Sequence, residues 1–169
     1  MLWRKDEIMY GIDEKRKEII EFTEKLSEEE AHQKPEEEKW SILEILEHLY
    51  LMEEMVVYRM KQSLKQGDLQ QATEKPVHKT VDRTRKVEAP ESVQPKGEFE
   101  SLEEAMDRLE KTREATMFLI HNKDKEVLQN RIYPHPSFGD MNLEQWVEFI
   151  GWHELRHLEQ MKEVKQKIS

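Results

Sequence analysis

His153 and His157 stand four residues apart near the end of this 169-residue chain, and His48 lies far upstream. Four residues turn a helix by about 400°, so the two rings leave nearly the same face, about 6 Å apart along the axis. Two imidazoles at that spacing can meet one metal ion. Both fall on an apolar stripe with Trp146, Phe149, Ile150, Met161 and Val164, and His48 falls on another among Ile45, Leu49 and Met52. Three imidazoles buried without partners would cost several kcal/mol between them. A divalent cation removes that cost. Three protein ligands leave a fourth position open, the pattern of a catalytic zinc site and not of a closed structural one. The ligands must be neutral, so binding should weaken as pH falls through roughly 6. The plainer alternative, a core histidine bonded to some nearby acceptor, fits each histidine alone better than it fits the three together.

His153-Glu-Leu-Arg-His157 also matches the H-E-x-x-H helix of metalloproteases, in which the glutamate is the general base. The metzincin extension needs a histidine at position 163, where this chain has Glu163. Only 12 residues follow His157, which leaves no room for a downstream ligand segment. Glu154 therefore reads as a solvated or helix-pairing charge.

Four helical segments must position these residues. The first spans about Asp6 to Leu26, with Ile8, Ile12, Ile19, Phe22 and Leu26 as its stripe. Ser27 to Lys39 reads as a connection with about one helical turn. The second helix opens on the capping box Ser41-Ile-Leu-Glu44, adds Met55 and Val56 to the stripe already named, and stops near Gly67. Another capping box, Ser101-Leu-Glu-Glu104, opens the third, whose stripe is Leu102, Ala105, Met106, Leu109, Thr116 and Leu119 or Ile120. The fourth begins at Asn142, with Gln145 three residues on. Gly67 to Glu100 is long for a connection within a domain. It lets the helices on either side run parallel, and Val77, Val81 and Val87 are candidates for short edge strands. Asn122 to Met141 reads as a loop. The expected architecture is all-α, one four-helix-bundle domain over residues 1–169.

Hydrophobic residues make up 36% and charged residues 38%, which suits helices with one narrow apolar stripe each. Net charge is −10, with no basic face for nucleic acid and an acidic surface ill-suited to anionic lipid. There is no cysteine, hence no disulfide and no cysteine zinc site, and any thiolate must come from outside. No stretch approaches the length of a membrane span, and the start carries no apolar signal core, so the expected location is cytoplasmic.

Around the metal residues, Gln160 lies one turn beyond His157 and is a candidate to orient a bound water or thiol, or a polar residue at the rim. Arg156 is a candidate for an anionic substrate group, or a partner for a glutamate. Glu44 is shared between the cap and the second ring nitrogen of His48, with the cap favoured. His135 reads as a loop hydrogen bond that shapes the approach to the fourth helix, with the site mouth as the alternative. His32, His78 and His121 carry no pattern, and Trp3, Trp40, Trp146 and Trp152 read as packing.

Three blocks resemble the DinB/YfiT-like family of metal-binding four-helix bundles: Trp40-Ser-Ile-Leu-Glu-Ile-Leu-Glu-His48-Leu, His135-Pro-Ser-Phe-Gly139 and Trp152-His153-Glu-Leu-Arg-His157-Leu-Glu-Gln160. They occur in the family's order and span most of the chain. The resemblance implies an up-down-down-up bundle, often dimeric, with zinc or nickel on His48, His153 and His157. Members are described as metal-dependent hydrolases, and some as transferases that place the low-molecular-weight thiol bacillithiol on an electrophile. The expected function is therefore enzymatic: a metal ion that activates a small thiol or water against a small substrate, in a homodimer. The alternative is a non-catalytic metal-binding bundle with a structural, sensing or dimerising role.

Overall fold

The computed structural model describes residues 11–66 and 69–169. Trp3, Asp6, Ile8 and Gly67, named above, lie outside them. Four long helices carry the fold: α1 (Ile12–Glu24), α3 (Ile42–Lys65), α4 (Leu102–His121) and α6 (Leu143–Ile168). Two short helices, α2 (Glu28–His32) and α5 (Lys125–Gln129), and a hairpin of β1 (Ile132–His135) with β2 (Gly139–Asn142) lie in the connections.

The caps follow the local chemistry. Ser41 and Glu44 close the expected reciprocal box on α3, and an unanticipated box of Ser27 with Glu30 opens α2. Asn142 accepts the Gln145 amide at the start of α6. At α4 only half the expected box forms. Ser101 accepts the Glu104 amide, but the Glu104 carboxylate turns to the Glu100 amide instead. Gly11, at φ 77°, is the N-cap of α1, and the start expected near Asp6 lies outside the described residues.

Contacts between named residues set the directions. Ile12 lies beside Gly151, and Arg16 binds Glu154, so α1 and α6 run parallel. Arg113 reaches the Ile12 carbonyl while Thr23 meets Met106, so α4 opposes α1. Tyr50 meets Arg108, and Glu53 meets Arg113 and Thr116, so α3 runs with α4. The order is up-down-down-up, and the long crossover between α3 and α4 allows it.

That crossover forms 3-10 turns at Val77–Val81 and Glu91–Val93, and the first of them packs on α6. Val77 is buried, whereas Val87 is 67% exposed. The edge strands suggested for Val77, Val81 and Val87 do not form. The sheet lies in the later connection that reads as a loop, with His135 opposite Gly139 and Pro134 opposite Asp140. Both strands of a two-stranded hairpin are edges, and so tolerate a proline.

The apolar core has two parts. One gathers Ile12, Val56, Met60, Ile120, Trp146 and Ile150; the other gathers Ile19, Ile45, Leu49, Leu109, Leu158 and Met161. Along each long helix the step from one cluster to the other passes through buried polar side chains: Arg16, Glu53, Arg113 and Glu154, with His153 and His157 on the same stretch of α6.

Candidate metal centre

His48, His153 and His157 come together in that polar layer, and all three are buried, at 2%, 7% and 8% exposure. One ligand nitrogen from each lies within 4.8 Å of the other two. His153 Nε2 is 3.3 Å from His48 Nε2 and 3.2 Å from His157 Nε2. The antiparallel pair α3 and α6 brings His48 across from the i, i+4 pair.

The opposite edges of two rings are committed. His48 Nδ1 lies 2.7 Å from the Val93 carbonyl oxygen, and His157 Nδ1 lies 2.7 Å from Gln160 Oε1. Both partners are acceptors, so each Nδ1 must carry the hydrogen. A neutral ring then has a bare lone pair on Nε2. The lone pairs of His48 and His157 therefore both face His153 Nε2, which can donate a hydrogen to one of them only, whereas a shared cation satisfies both. The donor set fits a divalent ion that accepts imidazole, zinc and nickel included.

Electrostatics keep the rings neutral. Burial pushes His157 down to about 3, with His48 adding to the effect and Gln160 opposing it. Burial also lowers His48, against the Val93 hydrogen bond, and it holds His153 well below the ordinary histidine value with help from His157 and His48. Aromatic rings shield the cluster: Trp40 stands 5.1 Å from His48 and Phe149 5.3 Å from His153.

Glu154 is not a solvated charge. It is buried, Arg16 Nε donates to it at 2.7 Å, and Arg113 donates to its other oxygen. Burial works against its carboxylate, but the two guanidinium groups win and its pKa is lowered. A carboxylate held this way is poorly placed as the base of a metalloprotease. Arg113 reaches Glu53 as well, and Arg16 Nη2 does the same, which closes a four-residue network across all four long helices.

Arg156 meets backbone and not the glutamate suggested for it. Its guanidinium donates to the carbonyls of Thr80, Asp82 and Arg85 and so ties the crossover to α6. Gln160 faces His157 Nδ1. Glu44 serves the cap, and the Val93 carbonyl takes the place considered for it at His48. His135 Nδ1 accepts the amides of Ser137 and Phe138 in the hairpin turn. Its ring lies 4.8 Å from Phe149, one ring removed from His153. His32 bridges the Glu28 and Glu100 carbonyls, and His78 meets the edge of Trp152. The sequence reading missed Val93, Glu47 and the arginine–glutamate network. Glu47 had one signal, its place inside the apolar run Ile45–Leu49 beside His48.

A family model for the DinB superfamily matches residues 12–161. This chain belongs to the DinB superfamily. The protein named YuaE from Bacillus subtilis (strain 168), described as uncharacterized, is 38% identical over 144 residues, 85% of this DinB chain and 88% of that protein. The crystal structure of TT2238, a four-helix bundle protein, superposes with a TM-score of 0.65 at 18% identity, over 94% of this chain and 98% of that one. At that identity the likeness speaks for the fold alone. Superfamily membership and the buried histidine cluster are together compatible with a metal-binding protein.

Proposed function

We propose that this DinB chain is a metal-dependent enzyme that holds zinc or nickel on His48, His153 and His157 and transfers a small thiol to an electrophile, with hydrolysis of a small substrate as the close variant. The observation that carries the reading is the convergence of three Nε2 atoms while two of the Nδ1 atoms are fixed as donors. A divalent ion on three imidazoles supplies Lewis acidity, which lowers the pKa of a thiol or water at an open position.

The chain's own residues support thiol transfer over hydrolysis. Glu53 and Glu154 are held by arginines, Glu47 by backbone amides and Glu44 by the cap. None of these four is at liberty to act as a base for water. The chain has no cysteine, so the thiol is exogenous. Trp40 and Phe149 beside the ligand rings keep water from the cluster. A homodimer in the cytoplasm completes the proposal, and sedimentation at several concentrations tests the dimer.

Cobalt substitution tests the site. Added small thiols should give a sulfur-to-cobalt charge-transfer band, and a screen of thiols with electrophiles should show turnover. An unchanged spectrum with every thiol tried overturns thiol activation. The deep burial of the three rings favours a second reading, a non-catalytic metal-stabilised bundle. Bound metal with neither spectral response nor turnover would select it.

A further inference from the structure

Glu47 precedes His48 on α3 and is 1% exposed. Its carboxylate reaches the crossover, accepting the Lys96 amide at 2.6 Å on one oxygen and the Glu98 amide at 2.9 Å on the other. Gly97, between those amides, has φ 75°, a left-handed turn that lets the chain aim both at one anion. A Cβ at Gly97 would meet nothing within 4 Å, so the backbone conformation, not crowding, calls for glycine there. Three residues before Lys96, buried Val93 offers its carbonyl to His48 Nδ1 at 2.7 Å.

Two adjacent side chains of α3 therefore grip one short segment, residues 93–98, by opposite polarities. Glu47 holds its amides and His48 holds a carbonyl. The ring nitrogen that faces the other histidines depends on this grip. While the Val93 carbonyl stays in place, the hydrogen sits on Nδ1 and Nε2 keeps its lone pair. If the segment drifts, His48 is free to carry the hydrogen on Nε2 and cannot then donate that lone pair to an ion.

We propose that Glu47 is a positioning residue for the metal centre: it anchors residues 93–98 so that the Val93 carbonyl fixes the tautomer of His48. The inference rests on the metal reading for its function, but its effect on His48 is measurable without metal. A carboxylate is the side chain suited to the task, because two amides need two acceptor atoms. Glutamine offers one acceptor, and its NH2 group opposes the second amide. Arg156, on the other side of the crossover, grips residues 80–85 by their carbonyls and leaves 93–98 to Glu47.

Two readouts on the full chain test this. Histidine-labelled, metal-free protein shows each ring's tautomer by two-bond proton–nitrogen correlation, and Zn²⁺ competition with a chelating dye gives affinity. The wild type should show His48 as the Nδ1–H form. Glu47→Ala should mix its tautomers and weaken Zn²⁺ binding about 10–100-fold, the range for lost partners of a ligand ring. Glu47→Gln should fall between the two. Gly97→Ala should shift both readouts the same way without touching α3, and both variants stand in if Glu47→Ala fails to fold. Leu128→Ala, a core truncation in α5 within the cluster of Ile12, Val77 and Trp146, should lower stability and leave both readouts unmoved. Wild-type tautomer and affinity in Glu47→Ala or, if it does not fold, in Glu47→Gln and Gly97→Ala overturn the proposal. A wild type that binds no Zn²⁺, with the tautomer of His48 still moving in these variants, overturns the metal reading and keeps the positioning role.

Discussion

Arg16 on α1 donates its Nε to Glu154 on α6 at 2.7 Å, inside the layer that divides the two apolar clusters. The same guanidinium reaches Glu53 at 3.0 Å and the Leu109 carbonyl at 3.0 Å, so one side chain touches the other three long helices. Two arginines and two glutamates balance in charge there. Removing one partner strands a buried charge, which costs about 3–5 kcal/mol. Arg16→Met should lower stability by about that amount in urea unfolding. Adding Glu154→Leu should recover much of the loss, because Arg113 and Glu53 remain as a neutral pair. Losses that simply add would show that the network does not act as a unit.

Metal content tests the ligand set. Ala at His48, His153 or His157 should strip most bound metal, read by elemental mass spectrometry on purified protein. His32→Ala and His78→Ala should keep wild-type content, because His32 bonds backbone carbonyls and His78 packs on Trp152. Full metal in His48→Ala would remove α3 from the site.

Much of this arrangement was legible in the sequence, for identifiable reasons. Apolar residues at helical spacing marked all four long helices, and the core took Ile19, Ile45, Leu49, Leu109, Trp146 and Ile150 from those stripes. Ser41 with Glu44 marked a helix start because that chemistry is local. His153 and His157 were visible because four residues fix their common face. The hidden parts depend on pairings between distant segments. Arg16, Glu53, Arg113 and Glu154 look like solvated charges until four helices bring them together. The Val93 carbonyl is backbone and carries no residue signature. The β1–β2 hairpin was hidden by Pro134 and Pro136, which break the alternation that marks a strand.

Gln160 holds His157 Nδ1 at 2.7 Å, the role for a residue that orients a ligand ring. Gln160→Ala should therefore weaken Zn²⁺ binding about 10–100-fold, measured by dye competition. Gln160→Glu offers a carboxylate to the same Nδ1–H and should retain binding. Unchanged affinity in Gln160→Ala would return this residue to the bundle rim, where its effect would fall on substrate and not on metal.

Acid should destabilise the metal-free protein through its buried histidines. His48, His153, His157 and His135 all have pKa values below 6.5, with burial as the leading cause, and two of them are placed: His157 at about 3 and His135 at about 4. Between the folded value and the ordinary one, the unfolded chain binds a proton that the folded chain refuses. Stability from these groups is therefore complete above about pH 6.5 and is lost as pH falls towards the folded values, at about 1.4 kcal/mol per pH unit for each imidazole in its window. Glu154, also lowered, extends the loss below the carboxylate range, while Glu148, raised by burial, opposes it. At His135 burial acts first and the Arg59 charge adds to it; a proton on Nδ1 would also break its bonds from the Ser137 and Phe138 amides. Urea midpoints at about pH 7.5, 5.5 and 4.5 should fall steadily, and His135→Asn should flatten part of the slope. Added Zn²⁺ should raise the midpoint at about pH 7.5 and lose that effect in acid, because the ion competes with protons for the same nitrogens. A metal-free midpoint that holds level from about pH 7.5 to 4.5 would mean that the three rings are not buried as neutral imidazoles, and the argument for their shared lone pairs would fall with it.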